Sequence, residues 1–284
     1  KGEIALASMK DIKQRIANVK STEQIIRAMY TIASTKLHKI RAQLEGVRPM
    51  YHDLERQVQA LGAHPDAGKN TFYAQRDVQH SLYIVLLSDR GFAGAYNSNV
   101  LSKALHHMQD KNEKIITIGA KGYDFFKKQN KNILRGISNL PDSQMYHDSE
   151  KLAKWMTQQY LCCEADELFV AYTEFKNVLS YTPSIKQLLP VPLEEALPAG
   201  SWDKKYEPDL DTVIAHTIPL YMHMNLFRAF SESSTSEQAA RMVSMDAAGK
   251  NSSELIEDLT MNYNRQRQAA ITQELNEIVG GANI

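Results

Sequence analysis

The sequence predicts an α/β domain carried between two long helices that come from the two ends of the chain and pair antiparallel. Three observations predict it. An apolar seam stepping by four and three runs through residues 12–61. A stretch rich in helix formers fills residues 219–279. Between them, apolar runs of strand length alternate with helical segments of about ten residues.

The first helix is the easiest element to read. Positions 12, 16, 19, 23, 26, 30, 33, 37, 40, 44, 47, 51, 54, 58 and 61 read Ile, Ile, Val, Glu, Ile, Tyr, Ala, Leu, Ile, Leu, Val, Tyr, Leu, Val and Leu. Only Glu23 breaks the apolar pattern, so this is a heptad seam. A helix over residues 10–63 is about 80 Å long at ~1.5 Å per residue. That is longer than a small domain is wide, so it needs a partner helix. Pro49 falls inside it and is expected to kink it or mark a join. Residues 1–9, before the seam, read as a leader or tag with no secretory pattern.

The partner comes from the other end, within residues 209–284. Pro219 suits a first helical turn, and no proline follows it up to Val279. The stretch is rich in Ala, Met, Leu, Glu and Gln. Its many small residues, among them Ser233, Ser234, Ala239, Ala240, Gly249 and Ser253, let two backbones approach closely. Charge agrees with the pairing. Residues 10–62 hold ten Lys or Arg against five Asp or Glu, a balance of +5, and residues 209–284 hold five against ten, a balance of −5.

Residues 75–208 form the central domain. Strands are expected at Leu82–Leu87, Lys114–Ile118, Leu168–Glu174 and Thr182–Leu189. Helices are expected at Asn99–Met108, Tyr123–Gln129 and Ser149–Cys162. The alternation argues for a parallel sheet covered by helices. A segment with four prolines, Pro190 to Pro208, leads back to the second long helix.

The stretch LLSDRGFAGAYN, residues 86–97, has the strand, glycine turn and helix order of phosphate-binding loops. Asn97 is a plausible N-cap. The chemistry is incomplete, however. A dinucleotide fingerprint needs three glycines and a P-loop needs Gly-Lys, whereas only Gly91 and Gly94 are present and Ala95 follows. The simpler reading is a tight turn in which Asp89 makes local hydrogen bonds.

Other chemistry is as thin. No HExxH or CxxC is present, so a metal site is not expected. Cys162 and Cys163 are adjacent, which argues for reduced thiols in a cytosolic chain, and both are expected to be buried. Asp11, Asp53, Glu164, Asp166 and Glu167 are expected to be solvated rather than an acid/base pair. The basic first helix lacks interleaved exposed aromatics, so no nucleic acid is expected. No apolar run nears ~20 residues. A rod that transmits position, a scaffold coiled coil and a nucleotide-binding domain with helical arms remain the competing classes.

Four segments then carry a resemblance: MKDIKQRIANVKSTEQIIRAMYTIASTKLHKI (9–40), LLSDRGFAGAYN (86–97), SWDKKYEPD (201–209) and SEQAARMVSMDAAGKNSSELIEDLTMNYNRQRQAAITQELNEIVGGANI (236–284). Together they resemble the gamma subunit of F-type ATP synthase, in a bacterial form lacking the chloroplast members' cysteine insertion. The resemblance implies a coiled coil of the two termini around a Rossmann-like domain. It implies a non-catalytic central rotor with no cofactor or metal of its own. Such a rotor couples c-ring rotation to ATP synthesis or hydrolysis in a ring of three alpha and three beta subunits. Epsilon and the c-ring are the other implied partners. The chain would be peripheral, at the cytoplasmic face of the bacterial cell membrane, reached only through the c-ring.

Site residues also follow from the resemblance. Arg241, Arg267, Gln268 and Thr272 match positions meeting a beta subunit at the shaft tip. Arg27, Met29, Arg90 and Ala93 match positions beside the beta subunits' acidic loop. Lys204, Tyr206 and Glu207 match positions at the foot, facing the c-ring and epsilon. The chain departs from the family's glycine-loop pattern at Phe92, Ala93 and Ala95.

Overall fold

The computed structural model describes the backbone over residues 2–192 and 206–281, and side chains over 9–192, 206–276 and 278. In chain order the elements are α1 (Gly2–Gly62), β1 (Ser81–Leu86), α2 (Tyr96–Met108), β2 (Glu113–Ile118), α3 (Ala120–Lys128), β3 (Ile133–Ile137), α4 (Met145–Leu161), β4 (Glu167–Asn177), β5 (Ser180–Leu189) and α5 (Leu210–Gly281). They divide into two compact units. One comprises Thr35–Ala240, and the other Lys1–Ser34 with Arg241–Ile284.

In the larger unit the strand order is β3-β2-β1-β4-β5. The first four strands are parallel and β5 is antiparallel to β4. The expectation of a parallel sheet is therefore corrected at β5. Only Val178 and Leu179 separate β4 from β5, and a connection that short closes only a hairpin. Strand β3 was not anticipated. Its sequence, ILRGI, is mostly exposed and carries an arginine and a glycine, as an edge strand allows.

Strand β1 explains the layering. All six of its residues are buried, and they alternate between two cores. Leu82, Ile84 and Leu86 point into one core with Met156 and Tyr160 of α4, Leu54 and Val58 of α1, and Met222 and Leu226 of α5. Tyr83 and Val85 point into the other with Val100 and Ala104 of α2 and Phe126 of α3. A strand apolar on both faces must be covered on both.

The heptad seam of α1 is the buried stripe in this unit. Leu37, Ile40, Leu44, Tyr51, Leu54, Val58 and Leu61 are all buried. Helix α1 is continuous across Pro49. Glu45, whose carbonyl loses a partner to that proline, is exposed, as are Gly46 and Pro49 themselves, so water can take the vacant bond. Helix α5 likewise starts earlier than Pro219 suggested. Its first turn is capped by Asp209, which accepts from the backbone N–H of Thr212 at 2.8 Å. Pro219 lies inside the helix.

From Tyr221 to Ala240, α5 is buried nearly all round, with only Arg228, Ser234 and Glu237 partly exposed. The small polar residues there are not only spacers. Ser231, Ser233, Thr235 and Ser236 are buried, and each makes a hydrogen bond.

The smaller unit is a two-helix pair. Glu23 of α1 accepts a hydrogen bond from the Ser253 hydroxyl of α5 at 2.8 Å, and a Cβ at Gly249 would lie 3.8 Å from the Ile26 methyl. Residue numbers rise on one helix as they fall on the other, so the pair is antiparallel. The charged exception in the seam is thus satisfied by a hydroxyl on its partner helix.

Three expectations about polar residues are corrected. Cys162 and Cys163 are exposed, because they lie past the last apolar turn of α4, with Cys163 in the left-handed region at φ 58°. Asp166 and Glu167 are buried. Asp166 accepts the N–H groups of Gln79 and His80, and Glu167 accepts from Ser81 and Lys111. They fasten the N-terminal edge of the sheet.

Gly119 is the tightest backbone position. Its φ is +99°, and a Cβ there would stand 2.2 Å from the Leu87 carbonyl oxygen. Gly119→Ala is expected to destabilise the chain by roughly 3 kcal/mol or more, read by urea unfolding. Gly249→Ala meets only ordinary contact and is expected to be neutral or stabilising by up to about 1 kcal/mol.

Candidate functional site

In an open α/β sheet, ligands bind outside the carboxyl ends of the strands, where the crossover direction reverses. Here that point lies between β1 and β4, and the glycine loop leaves β1 beside it. The loop is built to hold itself. Asn97 does not cap α2, whose N-cap is Ala95. Instead its side-chain oxygen accepts the Ser88 N–H at 3.0 Å, and its amide donates to the Ser88 hydroxyl at 2.7 Å. That hydroxyl donates to the Arg90 carbonyl at 2.7 Å.

Asp89 does not make a local turn. Its carboxylate accepts the N–H of Ala120, the first residue of α3, and the N–H of Asn139, each at 3.0 Å. A helix N-terminus is where a phosphate would sit. At the N-terminus of α3, the helix after β2, a carboxylate of the chain's own occupies that donor, and each such bond is worth about 1.5–3 kcal/mol.

The crevice beyond it is also filled. The Ser233 hydroxyl of α5 accepts the Thr173 N–H of β4 at 3.2 Å and lies 3.0 Å from the Tyr96 hydroxyl. Ser236 donates to the Thr173 carbonyl at 3.4 Å. Ala93 of the loop is buried against Tyr96 and Ala240. The second long helix stands where a nucleotide would lie.

A second polar cluster ties α1, β5 and α5 together. Tyr51 donates to Glu55 at 2.6 Å, and Lys186 of β5 donates to Tyr51 and, at 2.9 Å, to Glu55. Arg228 of α5 stacks 4.3 Å from the Tyr51 ring and donates to Glu232 at 2.7 Å. Burial draws the Lys186 pKa down against the pull of Glu55. Burial raises that of Glu55, but the bonds from Tyr51 and Lys186 outweigh it and leave the carboxyl below its usual range. Burial pushes Glu232 up, opposed by Arg228, and lifts Tyr172 and Tyr221 to about 12. The sequence reading missed this cluster. Its available signal was Arg228 and Glu232, four apart on one helix face among apolar neighbours.

The residues expected from the resemblance are scattered rather than convergent. In the smaller unit, Arg27 is exposed and pairs with Glu23 at 2.7 Å, and Met29 is half-buried. Both helices border a groove of about 640 Å³ lined by Ile26, Arg27, Tyr30, Met245 and Gly249. Arg267, Gln268 and Thr272 are exposed on α5, with the Thr272 hydroxyl donating to the Gln268 carbonyl. Arg241 is buried and already engaged, so it presents little surface. In the larger unit, Arg90 is exposed and Ala93 is buried. Tyr206 is half-buried with an edge-on contact to His64, and Glu207 is exposed. Lys204 lies outside the described residues.

Comparison with known proteins decides the family. A family model described as ATP synthase matches residues 8–284. The "ATP synthase gamma chain" of Brevibacillus brevis is 35% identical over 280 residues, 97% of this chain and 98% of the relative. That of Prosthecochloris aestuarii is 37% identical over 286 residues, 98% of each. The chain belongs to the ATP synthase gamma-chain family. Among solved structures, a chain of the Euglena gracilis mitochondrial ATP synthase shares the fold at a TM-score of 0.69, with 20% identity, 98% of this chain and 94% of that one. A chain from the central stalk and c-ring of the Tetrahymena thermophila enzyme does so at 0.60, with 22% identity, 79% of this chain and 99% of that one. In this gamma chain the sheet of the larger unit packs directly on the parts of α1 and α5 that belong to that unit.

Removing Lys186 leaves Glu55 partly buried without its cation. Lys186→Ala is expected to lower stability by about 2 kcal/mol, and adding Glu55→Gln should recover about half. Urea denaturation of the two single variants and the double closes the cycle, and purely additive losses would mean that the pair is not coupled.

Proposed function

We propose that the chain is the central rotor shaft of an F-type ATP synthase, coupling ion-driven rotation of a c-ring to ATP synthesis or hydrolysis in a ring of three alpha and three beta subunits. The observation that carries this reading is the antiparallel pair of terminal helices in a chain that aligns end to end with gamma chains. The shaft is non-catalytic. Asp89 and α5 occupy the positions from which an α/β domain would hold a nucleotide, which supports a mechanical role for the domain. No described helix is long and apolar enough to cross a membrane. The proposed place is peripheral, at the cytoplasmic face of the bacterial membrane, through the c-ring and epsilon.

The contacts divide by level. Arg267, Gln268 and Thr272 are exposed on α5 and meet a beta subunit at the tip. Arg241 adds to that contact only if its present burial is relieved. Arg27, Met29 and Arg90 face the acidic loops of the beta subunits, and Ala93 supports that surface from beneath. Tyr206 and Glu207, with Lys204, serve the foot. Exposed ion pairs of this kind are worth about 0–1 kcal/mol each. Weak contacts suit a shaft that must pass three subunits in turn, because a deep buried pair would hold one angle.

The purified chain is expected to hydrolyse no ATP, and a mixture of alpha and beta subunits is expected to gain ATPase activity when the chain is added. Robust turnover by the chain alone would count against the rotor. Arg267→Ala with Gln268→Ala is expected to reduce coupled synthesis several-fold while leaving the thermal midpoint unchanged, since both side chains are exposed. Full coupling in the double variant would remove the tip from the mechanism.

A further inference from the structure

Glu232 of α5 is satisfied only by half. It is 1% exposed, and one of its oxygens accepts the Arg228 Nε–H at 2.7 Å. The other oxygen is buried without a hydrogen-bond partner. An ionised carboxylate in that position holds its charge out of water with a single bond to offset the loss, which is unfavourable. A proton on the bare oxygen removes the charge and turns the group into a donor.

The groups around it come from four elements. Arg228 lies on α5 itself, Arg48 on α1, Tyr172 and Glu174 on β4, and Lys186 on β5. They pull in opposite directions. Burial lifts the Glu232 pKa above the usual carboxylate range and Arg228 opposes it, while the Glu174 carboxylate adds to the rise and Arg48 opposes it again. Two of the three cations are already engaged. Lys186 donates to Tyr51 and Glu55. Arg228 lies over the Tyr51 ring while it holds the first Glu232 oxygen.

Arg48 differs from both. It is exposed. With Tyr51, Arg228 and Ser231 it borders a cavity of about 10 Å³, room for about one water molecule. Pro49 follows it inside α1 and removes one bond from the helix ladder, so the turn that carries Arg48 yields more easily than a complete one.

We infer that Glu232 is a proton-operated latch at the joint between the long helices and the sheet. With its proton, the acid donates toward the Glu174 carboxylate and holds α5 to β4. When the proton leaves to solvent, the charge left on the bare oxygen draws the Arg48 guanidinium inward and holds α5 to α1 instead. The chain thereby responds to proton concentration at its own waist. The latch lies within the larger unit, so its failure leaves the rotor reading as it stands.

The test is urea unfolding of the full chain and its variants from about pH 4 to about pH 9. A carboxyl whose folded pKa is raised gives stability that is present below its unfolded value, near ~4.3, and is lost as pH rises through the folded value. Glu232→Gln keeps the shape of the protonated acid and does not titrate. It is therefore expected to gain on the parent as pH rises, by about tenfold or more in the unfolding constant at the alkaline end. In an Arg48→Ala background the same comparison is expected to place the change at higher pH, because a cation that favours ionisation is gone. In a Glu174→Gln background it is expected at lower pH, because a like charge is gone. A difference between Glu232→Gln and the parent that stays flat with pH overturns the latch by fixing Glu232 in one protonation state. A pH change that Arg48→Ala leaves in place overturns it by removing α1 from the switch. Should Glu232→Gln not fold, the infrared carboxyl stretch of the parent decides: a protonated band that outlasts the ordinary carboxylate range supports the latch, and its absence overturns it.

Discussion

The hydroxyl of Ser233 holds three elements at once, and much of the larger unit depends on it. It accepts a backbone N–H from β4 and meets the phenol at the start of α2. A helix can be buried on all sides only where its polar side chains find partners, because an unpaired buried polar group costs about 1–3 kcal/mol. Ser231, Ser233, Thr235 and Ser236 meet that condition within one stretch of α5. The result is a sheet domain that cannot be separated from the long helix without exposing the core that lies between the sheet, α1, α4 and α5.

This arrangement also explains how a nucleotide-type fold can serve a mechanical purpose. The strand, turn and helix order is kept, but Ser88, Asp89 and Asn97 of the loop are engaged inside the chain. Asp89 satisfies the first N–H of α3, and the crevice between β1 and β4 is filled by α5. The Tyr51, Glu55, Lys186 and Arg228 cluster joins both long helices to the last strand. Glu232 keeps one oxygen without a partner, the single unsatisfied carboxylate oxygen among the described buried side chains. The domain is a clamp around two helices, built from the parts of a binding fold.

The long helices were legible in the sequence because a seam is a repeated signal. Fourteen of fifteen positions agreed, so neither Pro49 nor Glu23 could hide it. Strands β1, β2 and β4 were legible because buried parallel strands carry continuous apolar runs, and β5 because it ends in one, Leu188 and Leu189. Strand β3 was not, since an edge strand needs little apolar surface. The direction of β5 was lost because periodicity carries no sense of direction, although the two-residue gap before it does. At the candidate contacts, sequence matching named positions but not orientations. Ala93 and Phe92 are neighbours, and only the backbone at Phe92, in the left-handed region, decides which one faces out. Burial of Asp166 and Glu167 was equally hidden, because their partners are backbone N–H groups and a lysine more than fifty residues away.

The bond between Glu23 and Ser253 bears on how the two helices can move along each other. A seam of aliphatic side chains is nearly periodic, so a slip of one heptad, about 10 Å, would restore much of its packing. The carboxylate breaks that symmetry. Shifted one heptad in one direction, it faces Asp246 and meets a like charge. A single polar pair therefore acts as an indexing pin that fixes the axial registration of a twisting rod without widening it.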